Sequence, residues 1–341
     1  MTELQERLTN IVKSFSQQKL VIIGDAIADK FLYGSISRVS REAPVFILRH
    51  EQTETIPGGA ANCAVNLASL GANVSLVSVV GNDQAGAELR EKLKRAGVDT
   101  NGVLTSDKLQ TTTKLRILAG QAHSSRQQVI RIDYEDAPFS DPDVRSAVVE
   151  ELKRRSAEAG AVIVSDYNYG VVDDSAVEVL RKISAPVLVD SRFLLESFLG
   201  FTAATPNEDE VENLFGHPIS SDQQLAIDAA ALKARLGYQA LLVTRGGNGM
   251  MLLEGDAAPL HIDAVGAHQP VDVTGAGDTV IATFALSLAT GASFSDAARL
   301  ANYAGGLVVM KRGTATVSAD ELRSAVRAGA SSAPPRKITR R

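Results

Sequence analysis

Four short, continuously apolar runs with helical patterns between them limit the folds open to this chain more than any other feature. Uninterrupted apolar runs of this length are typical of parallel strands that are buried on both faces of a sheet. When such strands alternate with helices, they indicate an α/β fold with a doubly wound, mostly parallel sheet. The runs cover residues 19–24, 161–166, 186–190 and 240–244.

Two β-rich segments depart from this alternation. Residues 31–51 and 111–133 contain short stretches of alternating or β-branched residues and no helical pattern. We interpret them as short antiparallel strands that form a small sheet, a lid beside the main sheet. The polar residues 119–127 are expected to form a hairpin loop within it.

A glycine-rich stretch at residues 271–279 is the strongest candidate for a functional site. Val271 and Val273 predict the end of a strand, Gly275-Ala276-Gly277 a turn, and the apolar run after Asp278 a helix. Free N–H groups at such a helix start, together with the helix dipole, favour a bound anion. Asp278 beside that anion is explained if a base must contact an acceptor hydroxyl during phosphoryl transfer. The residues alone support equally a tight strand–helix turn in which Asp278 is an ordinary first-turn acidic residue.

A second glycine-rich stretch begins at Pro57 and is predicted to open a helix that ends at Leu70. The small residues Gly58-Gly59-Ala60-Ala61 permit the close approach of a ligand or of another segment of backbone, and packing alone would explain them. Asp25 and Asp29 follow the first apolar run, at the edge where open α/β sheets bind ligands. A solvated loop is the alternative for Asp25.

Composition excludes several classes of protein. Hydrophobic residues make up 45% of the 341 residues and charged residues 22%, which excludes a disordered chain and suits one large domain or two modest ones. The formal net charge of −5 provides no basic field for nucleic acid or an anionic membrane, so small molecules are the expected partners. The lone Cys63 cannot form an internal disulfide and is expected to be a small buried hydrophobe.

The terminal segments are predicted to differ from the rest of the chain. Residues 1–19 have helical apolar spacing without a continuous apolar core, which favours an amphipathic surface helix over a signal peptide. No apolar run approaches the ~20 residues of a membrane helix, and we expect a soluble, cytoplasmic protein. The folded part is expected to cover residues 1–330, followed by a disordered basic tail at 331–341.

Several common enzyme motifs are absent from the sequence. It contains no Gly-Lys-Ser/Thr P-loop and no nucleophile elbow, and Gly275-Ala276-Gly277 lacks the third glycine of a dinucleotide-binding motif. The histidines have no metal-ligand spacing with one another or with Cys63. A Walker-type NTPase, a Rossmann dehydrogenase and a histidine-based metal site are therefore poorly supported.

Together, the two glycine-rich stretches resemble a known family. Gly58-Gly59-Ala60-Ala61-Asn62 and Asp272-Val273-Thr274-Gly275-Ala276-Gly277-Asp278-Thr279 are similar to the paired signatures of the ribokinase/PfkB carbohydrate kinases, and the likeness spans residues 19–326. Within that family, the closer likeness is to the D-glycero-β-D-manno-heptose-7-phosphate kinases, which occur alone or as the kinase half of a bifunctional heptose kinase/adenylyltransferase. This closer likeness lies in residues 24–29, 37–45, 57–62, 113–116, 165–167, 205–210, 244–245 and 313–318.

The resemblance implies a fold, cofactors and partners. The fold would be a ribokinase-like three-layer α/β/α sandwich with a mostly parallel central sheet and a small β-sheet lid over the sugar. ATP and Mg²⁺ would be the cofactors, with a monovalent cation as a further candidate. The partners would be a small-molecule sugar phosphate and a second copy of the chain in a homodimer.

The same resemblance assigns roles to particular residues. Asp278 would take the proton of the acceptor hydroxyl, and we expect the helix dipole to keep this carboxylate ionised. Asn207 and Glu210 would organise the magnesium and the nucleotide phosphates, with Glu210 acting on the metal indirectly. The other implied contacts are the anion hole at Gly275, Ala276 and Gly277, the sugar contacts Asp29, Gly58, Gly59 and Asn62, and the ATP contacts Thr244, Arg245, Gly246 and Asn302.

An acceptor that already carries a phosphate requires cations to bind that phosphate. Guanidinium groups pair with phosphate oxygens in a bidentate manner, and an ammonium group serves as a point charge. Each such residue by itself is more often a solvated surface charge. The candidates in the predicted lid region are Arg38, Lys114, Arg116 and Arg131.

The chain departs from the heptose kinase pattern at three positions. Tyr169 stands where lysine is usual, Arg192 replaces a second lysine, and Arg41 stands where proline is usual. These changes leave the residues for phosphoryl transfer intact, but they leave open which sugar phosphate is the acceptor. The hypotheses are an ATP-dependent kinase acting on O1 of a heptose 7-phosphate for ADP-heptose biosynthesis, a PfkB-type kinase of another sugar or sugar phosphate, and a catalytically idle sugar- or nucleotide-binding regulator.

Overall fold

The computed structural model describes residues 1–120, 126–266 and 270–329. The strands, in chain order, are β1 (Lys19–Gly24), β2 (Ala26–Val39), β3 (Phe46–Gly59), β4 (Asn73–Gly81), β5 (Val103–Ser106), β6 (Thr113–Gly120), β7 (Gln127–Tyr134), β8 (Ala161–Asp166), β9 (Val187–Ser191), β10 (Ala203–Ala204), β11 (Ala240–Thr244), β12 (Met250–Glu254) and β13 (Leu260–Ile262). The helices are α1 (Glu3–Lys13), α2 (Ala60–Ser69), α3 (Gln84–Arg95), α4 (Pro142–Ser156), α5 (Asp174–Leu180), α6 (Glu208–Phe215), α7 (Asp222–Leu236), α8 (Ala276–Ala289), α9 (Phe294–Val308) and α10 (Ala319–Ala328).

Nine of these strands form the larger sheet, in the order β13-β12-β11-β10-β9-β8-β1-β4-β5. Parallel pairing runs from β5 at one edge to β11, through β4, β1, β8, β9 and β10. The last two strands, β12 and β13, are antiparallel to their neighbours. The prediction of a mostly parallel central sheet is therefore confirmed.

Helices cover both faces of the larger sheet, as the alternation along β1 illustrates. Leu20 and Ile22 belong to a buried cluster with residues of α2, α8 and α9, and Cys63 is buried there as expected. Val21 and Ile23 belong to a second buried cluster, with residues of α4, α5 and α7. Because residues 20–24 are buried whichever face they point to, this part of the strand is apolar without alternation. The predicted α/β/α layering is thus present.

The smaller sheet has the strand order β3-β2-β6-β7. The prediction of a separate small sheet is confirmed, but β2 and β3 are each 14 residues long rather than short. The predicted antiparallel pairing holds for β2 with β3 and for β6 with β7, whereas β2 and β6 are parallel. Between β3 and β6 the chain passes through α2, β4, α3 and β5, so β6 enters the sheet from the same end as β2.

Two predicted boundaries beside the glycine-rich stretches are wrong. Strand β3 continues to Gly59, so the helix begins at Ala60 and not at Pro57. Residues 271–273 do not form a strand, because the N–H groups of Val271 and Asp272 both donate to the Val309 carbonyl, at 2.8 and 3.1 Å. Two neighbouring donors that share one acceptor cannot form the ladder of a sheet.

Some expectations fall outside the described residues. The predicted tail at 331–341 lies wholly outside them and the predicted hairpin loop at 119–127 lies partly outside. The extent of the folded domain over residues 1–330, with its lid, stays a prediction. Within the described ranges, no helix has the length and apolar character needed to cross a bilayer.

Candidate active site

A cavity of about 820 Å³ opens at the carboxyl edge of the larger sheet, beside the start of α8. This edge is where open α/β sheets bind ligands, because the loops after parallel strands converge there. The ends of β8, β9 and β11 and the segments that follow β8, β9 and β10 line the cavity, together with the beginnings of α6 and α8. Its polar lining includes Asp166, Tyr167, Asp190, Arg192, Asn207, Glu210, Thr244, Gly275, Gly277 and Asp278.

The start of α8 presents backbone donors to this cavity. The N–H groups of Gly275, Gly277 and Asp278 donate to no group in the described part of the chain, whereas the Ala276 N–H donates to the Val273 carbonyl at 3.2 Å. Gly275 has a φ of +76°, and a Cβ there would lie 2.6 Å from Asn62 Nδ2, so only glycine fits. The helix start therefore offers three of the predicted backbone donors while the Ala276 N–H is engaged, and anion binding there stays a prediction.

Asp278 is held in place by a buried chain of side-chain hydrogen bonds between α2 and α8. Asn62 Nδ2 donates to Asp278 Oδ2 at 2.6 Å, and Asn66 Nδ2 donates to Asn62 Oδ1 at 3.1 Å. The Thr279 hydroxyl in turn donates to Asn66 Oδ1 at 2.8 Å, which fixes the orientation of both amides. Asp278 Oδ1 has no partner among the described residues. One carboxylate oxygen is therefore fixed, and the other is available to a ligand.

The expectation that the helix dipole keeps Asp278 ionised is wrong. Burial raises the pKa of Asp278 from its ordinary 3.8 to about 7, and the negative charge of Asp29 adds to this rise. The hydrogen bond from Asn62 and the nearby Tyr167 hydroxyl lower the pKa, but by less than burial raises it. A side chain that is only 7% exposed loses most of its hydration, and this loss disfavours the charged form. A carboxyl with a pKa near neutrality is well suited to accept a proton.

Asp29 lies on β2, at the side of the site that faces the smaller sheet. Its carboxylate is buried and pairs with Arg116, whose guanidinium stacks on Phe31 with 5.3 Å to the ring centroid. A Cβ at Gly58 would lie 2.3 Å from Asp29 Oδ2, so packing around this carboxylate already requires glycine. Gly59 has a φ of +56°, and a Cβ there would meet the Asp25 carbonyl. The sugar contacts expected of both glycines stay predictions.

Asn207 and Glu210 stand at the opposite side of the cavity, at the start of α6. Asn207 Oδ1 accepts the Glu210 N–H at 2.8 Å, and Glu210 Oε2 accepts the Asn207 N–H at 2.9 Å, a reciprocal capping box. Burial is the main cause that raises the pKa of Glu210. The capping box engages one carboxylate oxygen of Glu210 and leaves Oε1 without a hydrogen bond to a described residue.

This donor set fits a magnesium ion that arrives with a nucleotide. No group of three or more acidic, histidine or cysteine side chains in the described ranges could hold a metal by itself. Mg²⁺ is commonly bound by one or two carboxylates together with substrate phosphates and water. Glu210 supplies such a carboxylate, and the buried Asp166 and the Asp190 carboxyl line the same cavity. Burial also raises the pKa of Asp190 well above its ordinary value.

Three of the predicted ATP contacts lie apart from this lining. Arg245 pairs with Glu208 and Asp222, each at 2.6 Å, so its side chain ties the starts of α6 and α7 together. Asn302 Nδ2 donates to the Asp263 carbonyl at 2.7 Å. Gly246 lies in a short 3-10 turn with open space around its Cα. Thr244, at the end of β11, does line the cavity.

The four cations predicted to bind a substrate phosphate lie in different settings. Arg116 pairs with Asp29, and Arg131 pairs with an aspartate of its own strand at 2.9 Å. Lys114 is half-buried between the smaller sheet and the turn after β8. Arg38 is exposed near the far end of β2, nine residues and roughly 30 Å along the strand from Asp29. The structure does not bring Arg38 to the site.

Sequence reasoning missed a structural role for Asp25. This residue is only 2% exposed, and its carboxylate accepts the N–H groups of Tyr167, Tyr169 and Val171 at 2.8, 3.2 and 3.3 Å. The turn that it holds contains Asn168, whose φ is +64°. The aspartate directly after the first apolar run was the available signal, but its partners are more than 140 residues away. The solvated loop weighed for Asp25 is wrong.

Comparison with known proteins agrees with this geometry. Residues 17–321 match the family described as pfkB family carbohydrate kinase. The bifunctional protein HldE of Alcanivorax borkumensis is 42% identical over 319 residues, and that of Coxiella burnetii is 40% identical over 318. Each alignment covers 92% of this chain, which spans about 65% of the length of these curated relatives.

Solved structures of sugar kinases share the fold. Phosphofructokinase-2 from Escherichia coli, in complex with substrates and products, superposes with a TM-score of 0.74 at 18% identity and covers 91% of this chain and 99% of that one. Arabidopsis thaliana ribokinase, complexed with ribose and ATP, gives a TM-score of 0.71 at 23% identity with the same coverage. The expected ribokinase-like fold is confirmed, and the chain belongs to the pfkB family of carbohydrate kinases, enzymes that transfer a phosphoryl group to an alcohol.

Proposed function

We propose that this chain catalyses the ATP-dependent phosphorylation of O1 of D-glycero-D-manno-heptose 7-phosphate, for ADP-heptose biosynthesis. The observation that carries the kinase chemistry is that Asp278 Oδ1 and the N–H groups of Gly275, Gly277 and Asp278, which have no partner among residues 1–120, 126–266 and 270–329, lie together at the start of α8. The choice of a heptose phosphate is supported by relatives at about 40% identity whose kinase part corresponds to this chain.

The residues of the site divide the work of phosphoryl transfer. Asp278 Oδ1 accepts the proton of the acceptor hydroxyl while Asn62 holds the other carboxylate oxygen. The N–H groups of Gly275, Gly277 and Asp278 stabilise negative charge on the transferred group. Backbone donors of this kind do not need to reorganise during the reaction, so they stabilise charge as it develops.

ATP and Mg²⁺ are the proposed cofactors, with a monovalent cation as a further candidate. When bound, they supply the phosphoryl group and neutralise its charge. Thr244, Asn207 and Glu210 would hold the nucleotide phosphates and the metal, Glu210 through Oε1, which accepts no hydrogen bond from a described residue. Arg245 and Asn302 would hold neighbouring segments in place and not contact ATP through their side chains, because these side chains already bind Glu208 and the Asp263 carbonyl. Measuring kinase activity at increasing potassium concentration tests whether a monovalent cation is required.

The proposed oligomer is a homodimer formed through the smaller sheet. Strand β7 exposes Ile130, Ile132 and Tyr134, which alternate along one face and are 51%, 38% and 41% exposed. Exposed apolar side chains on a sheet that has free edges favour association with a second copy. Sedimentation equilibrium of the wild-type chain and of Ile130→Lys tests this, and a wild-type monomer at working concentration would refute it.

A kinase of another sugar phosphate is the second candidate, because Tyr169 and Arg192 depart from the heptose kinase pattern. The Tyr169 hydroxyl donates to Glu135 at 2.5 Å, so a charge expected at this position is replaced by an internal hydrogen bond. The deciding experiment measures ADP release with heptose 7-phosphate, fructose 6-phosphate, fructose 1-phosphate, ribose and adenosine. Turnover of another acceptor alone would reject only the heptose assignment. The absence of any turnover would reject the kinase itself and favour a binding regulator.

A further inference from the structure

Polar side chains of α3 fasten the base of the smaller sheet. Lys30 on β2 and Thr55 on β3 lie opposite each other in the antiparallel register, on the face of the sheet that points away from the side chain of Asp29. Glu88 of α3 contacts both of them there. Its Oε2 accepts the Thr55 hydroxyl at 2.6 Å and lies 3.2 Å from Lys30 Nζ. One carboxylate therefore joins two strands of the smaller sheet to a helix.

Glu88 is itself fixed on α3. Gln84, one turn earlier, donates from Nε2 to the other carboxylate oxygen, Oε1, at 2.7 Å. The Thr55 hydroxyl, with help from Gln84 and Lys30, lowers the pKa of Glu88 although burial opposes this, so the carboxylate stays ionised. The neighbouring Leu89 is fully buried in the cluster that covers one face of the larger sheet. The packing of α3 on the larger sheet therefore sets the position of Glu88.

The start of α3 also holds the segment that leads into β6. Asp83 caps the helix through Oδ1, which accepts the Gly86 N–H at 2.8 Å, and its Oδ2 accepts the Thr111 N–H at 2.8 Å. Thr111 is only 1% exposed, and its hydroxyl oxygen accepts the Gly81 N–H at 2.9 Å. A Cβ at Gly86 would lie 2.8 Å from this oxygen, so the contact requires glycine. A third strand of the smaller sheet is thus attached to the same helix.

Both attachments end next to Asp29. Lys30 is the following residue on β2, and the N–H group of Ala28, the preceding residue, donates to the Thr112 carbonyl at 2.9 Å. Asp278, by contrast, is held by the amide that α2 provides. The two carboxylates are therefore positioned through different helices, Asp29 through α3 and Asp278 through α2.

We propose that Glu88 is a positioning residue for Asp29, and that α3 sets through it where Asp29 stands relative to Asp278. The proposal rests on the proposed function, because Asp29 is an expected contact of the acceptor. Glu88 acts from the opposite face of the sheet and does not touch the acceptor. Loss of its contacts should impair the use of the acceptor and spare the nucleotide, whose proposed contacts stand on the other side of the cavity. Displacements of about 1 Å are enough to matter, since they can cost roughly 100-fold in rate.

Kinetics with each substrate varied in turn tests the proposal. We measure kcat and both KM values in wild type, Glu88→Gln and Thr55→Val, with the acceptor that wild type uses. Each substitution should raise the KM for the acceptor by about 5- to 30-fold and that for ATP by less than about 2-fold. A substitution that merely unfolds part of the protein lowers kcat and changes neither KM. Thr55→Ser keeps the hydroxyl and should retain the wild-type KM.

Glu91→Gln is the matched control. Glu91 also lies on α3, but its carboxylate forms an exposed pair with Arg95 of the same helix, at 2.9 Å. The KM for the acceptor should stay at the wild-type value in this variant. The proposal is overturned if Glu88→Gln behaves like Glu91→Gln. It is also overturned if Glu88→Gln raises the KM for ATP as much as that for the acceptor, because the effect would then not be specific to Asp29.

Hydrogen exchange separates this proposal from the proposed function. Exchange is followed by mass spectrometry in the ligand-free protein, in peptides that cover residues 26–33 of β2 and 161–166 of β8. Glu88→Gln should speed exchange in the β2 peptide by about 3- to 10-fold relative to Glu91→Gln and leave the β8 peptide unchanged, because one attachment of β2 is lost. This result supports the positioning of β2 even if no acceptor is turned over, an outcome that would reject the kinase alone. Equal exchange in both variants and wild type overturns the proposal, whatever the kinetics show.

Discussion

Asp25 and Asp278 are both buried carboxyls at the carboxyl edge of the larger sheet, yet their surroundings differ in one respect. Burial raises the pKa of Asp25 to about 6 and that of Asp278 to about 7. Asp25 accepts three backbone N–H groups, which use both of its oxygens. Asp278 accepts one amide, and its Oδ1 is left without a partner in the described part of the chain. The first carboxyl holds a turn, and the second is ready to react.

The two carboxyls differ in the hydrogen-bond donors that they accept and not in their burial. Backbone N–H groups cannot be withdrawn from Asp25 without leaving them unsatisfied, so its carboxylate is committed to the fold. The missing donor at Asp278 costs stability but leaves an oxygen for the acceptor hydroxyl. A pKa raised by burial therefore identifies neither residue as the base. The number of hydrogen-bond donors that each carboxylate accepts distinguishes the two residues.

The largest expected effect is the loss of activity in Asp278→Asn. The amide cannot accept the proton of the acceptor hydroxyl, so kcat should fall by roughly 10²–10⁴-fold. The KM for ATP should change little, because Asn207, Glu210 and Thr244 stand on the other side of the cavity. Steady-state kinetics with each substrate varied in turn provides the measurement. An Asp278→Asn variant that keeps more than a tenth of the wild-type kcat would remove Asp278 from the role of base.

The next effect in size is the destabilisation expected in Asp25→Asn. The substituted side chain must place an NH₂ group against backbone N–H donors of the turn at 167–171. Leaving one or two of these donors unsatisfied should cost about 1–3 kcal/mol of the free energy of unfolding. Urea denaturation followed by circular dichroism gives this value. If Asp25→Asn is as stable as wild type, the turn is held by other contacts and the contrast with Asp278 fails.

A third prediction concerns the pH dependence of kcat/KM. Asp278 must be ionised to accept a proton, so kcat/KM should rise about tenfold per pH unit below the pKa of about 7 and level off above it. Asn62→Ala removes a hydrogen bond that lowers this pKa, so its midpoint should move to higher pH. The measurement uses an unphosphorylated sugar and a constant excess of Mg²⁺, so that the acceptor does not ionise in the same range. A profile that is flat between about pH 5 and pH 8 would contradict the assignment.

The sequence was informative wherever local pattern determines the outcome. Continuous apolar runs predicted the central strands because burial on both faces removes alternation, and the helix start at Gly275 followed from glycine before an apolar run. Asp278 was found for the same reason, as a carboxylate in the first turn of a predicted helix. These features depend on residues within a few positions of one another.

Features that depend on distant partners could not be predicted in this way. The pKa of Asp278 reflects the packing of α2 against α8, and its hydrogen bond to Asn62 joins residues 216 positions apart. Arg245 was expected at ATP, but its partner Glu208 lies 37 residues earlier on another helix. The parallel pairing of β2 with β6 follows from a crossover through the main body, which strand patterns do not reveal.

The last expected effect is a gain in stability in Asp278→Asn, and it has the opposite sign to that of Asp25→Asn. The amide oxygen can keep the hydrogen bond from Asn62, and the NH₂ group faces a position at which no described donor stands.

The pH dependence of this gain follows from the pKa of Asp278. In wild type the folded pKa of about 7 exceeds the ordinary 3.8, so the folded state binds more protons than the unfolded state between these values. Wild-type stability therefore falls as pH rises through this window, by at most about 1.4 kcal/mol for each unit of pKa difference. Asp278→Asn has no carboxyl at this position and does not lose this stability. Its melting temperature should therefore exceed that of wild type by a small amount near pH 5 and by more near pH 8. An advantage that does not grow with pH would mean that Asp278 is not held in a raised-pKa state, and that its difference from Asp25 lies in hydrogen bonding alone.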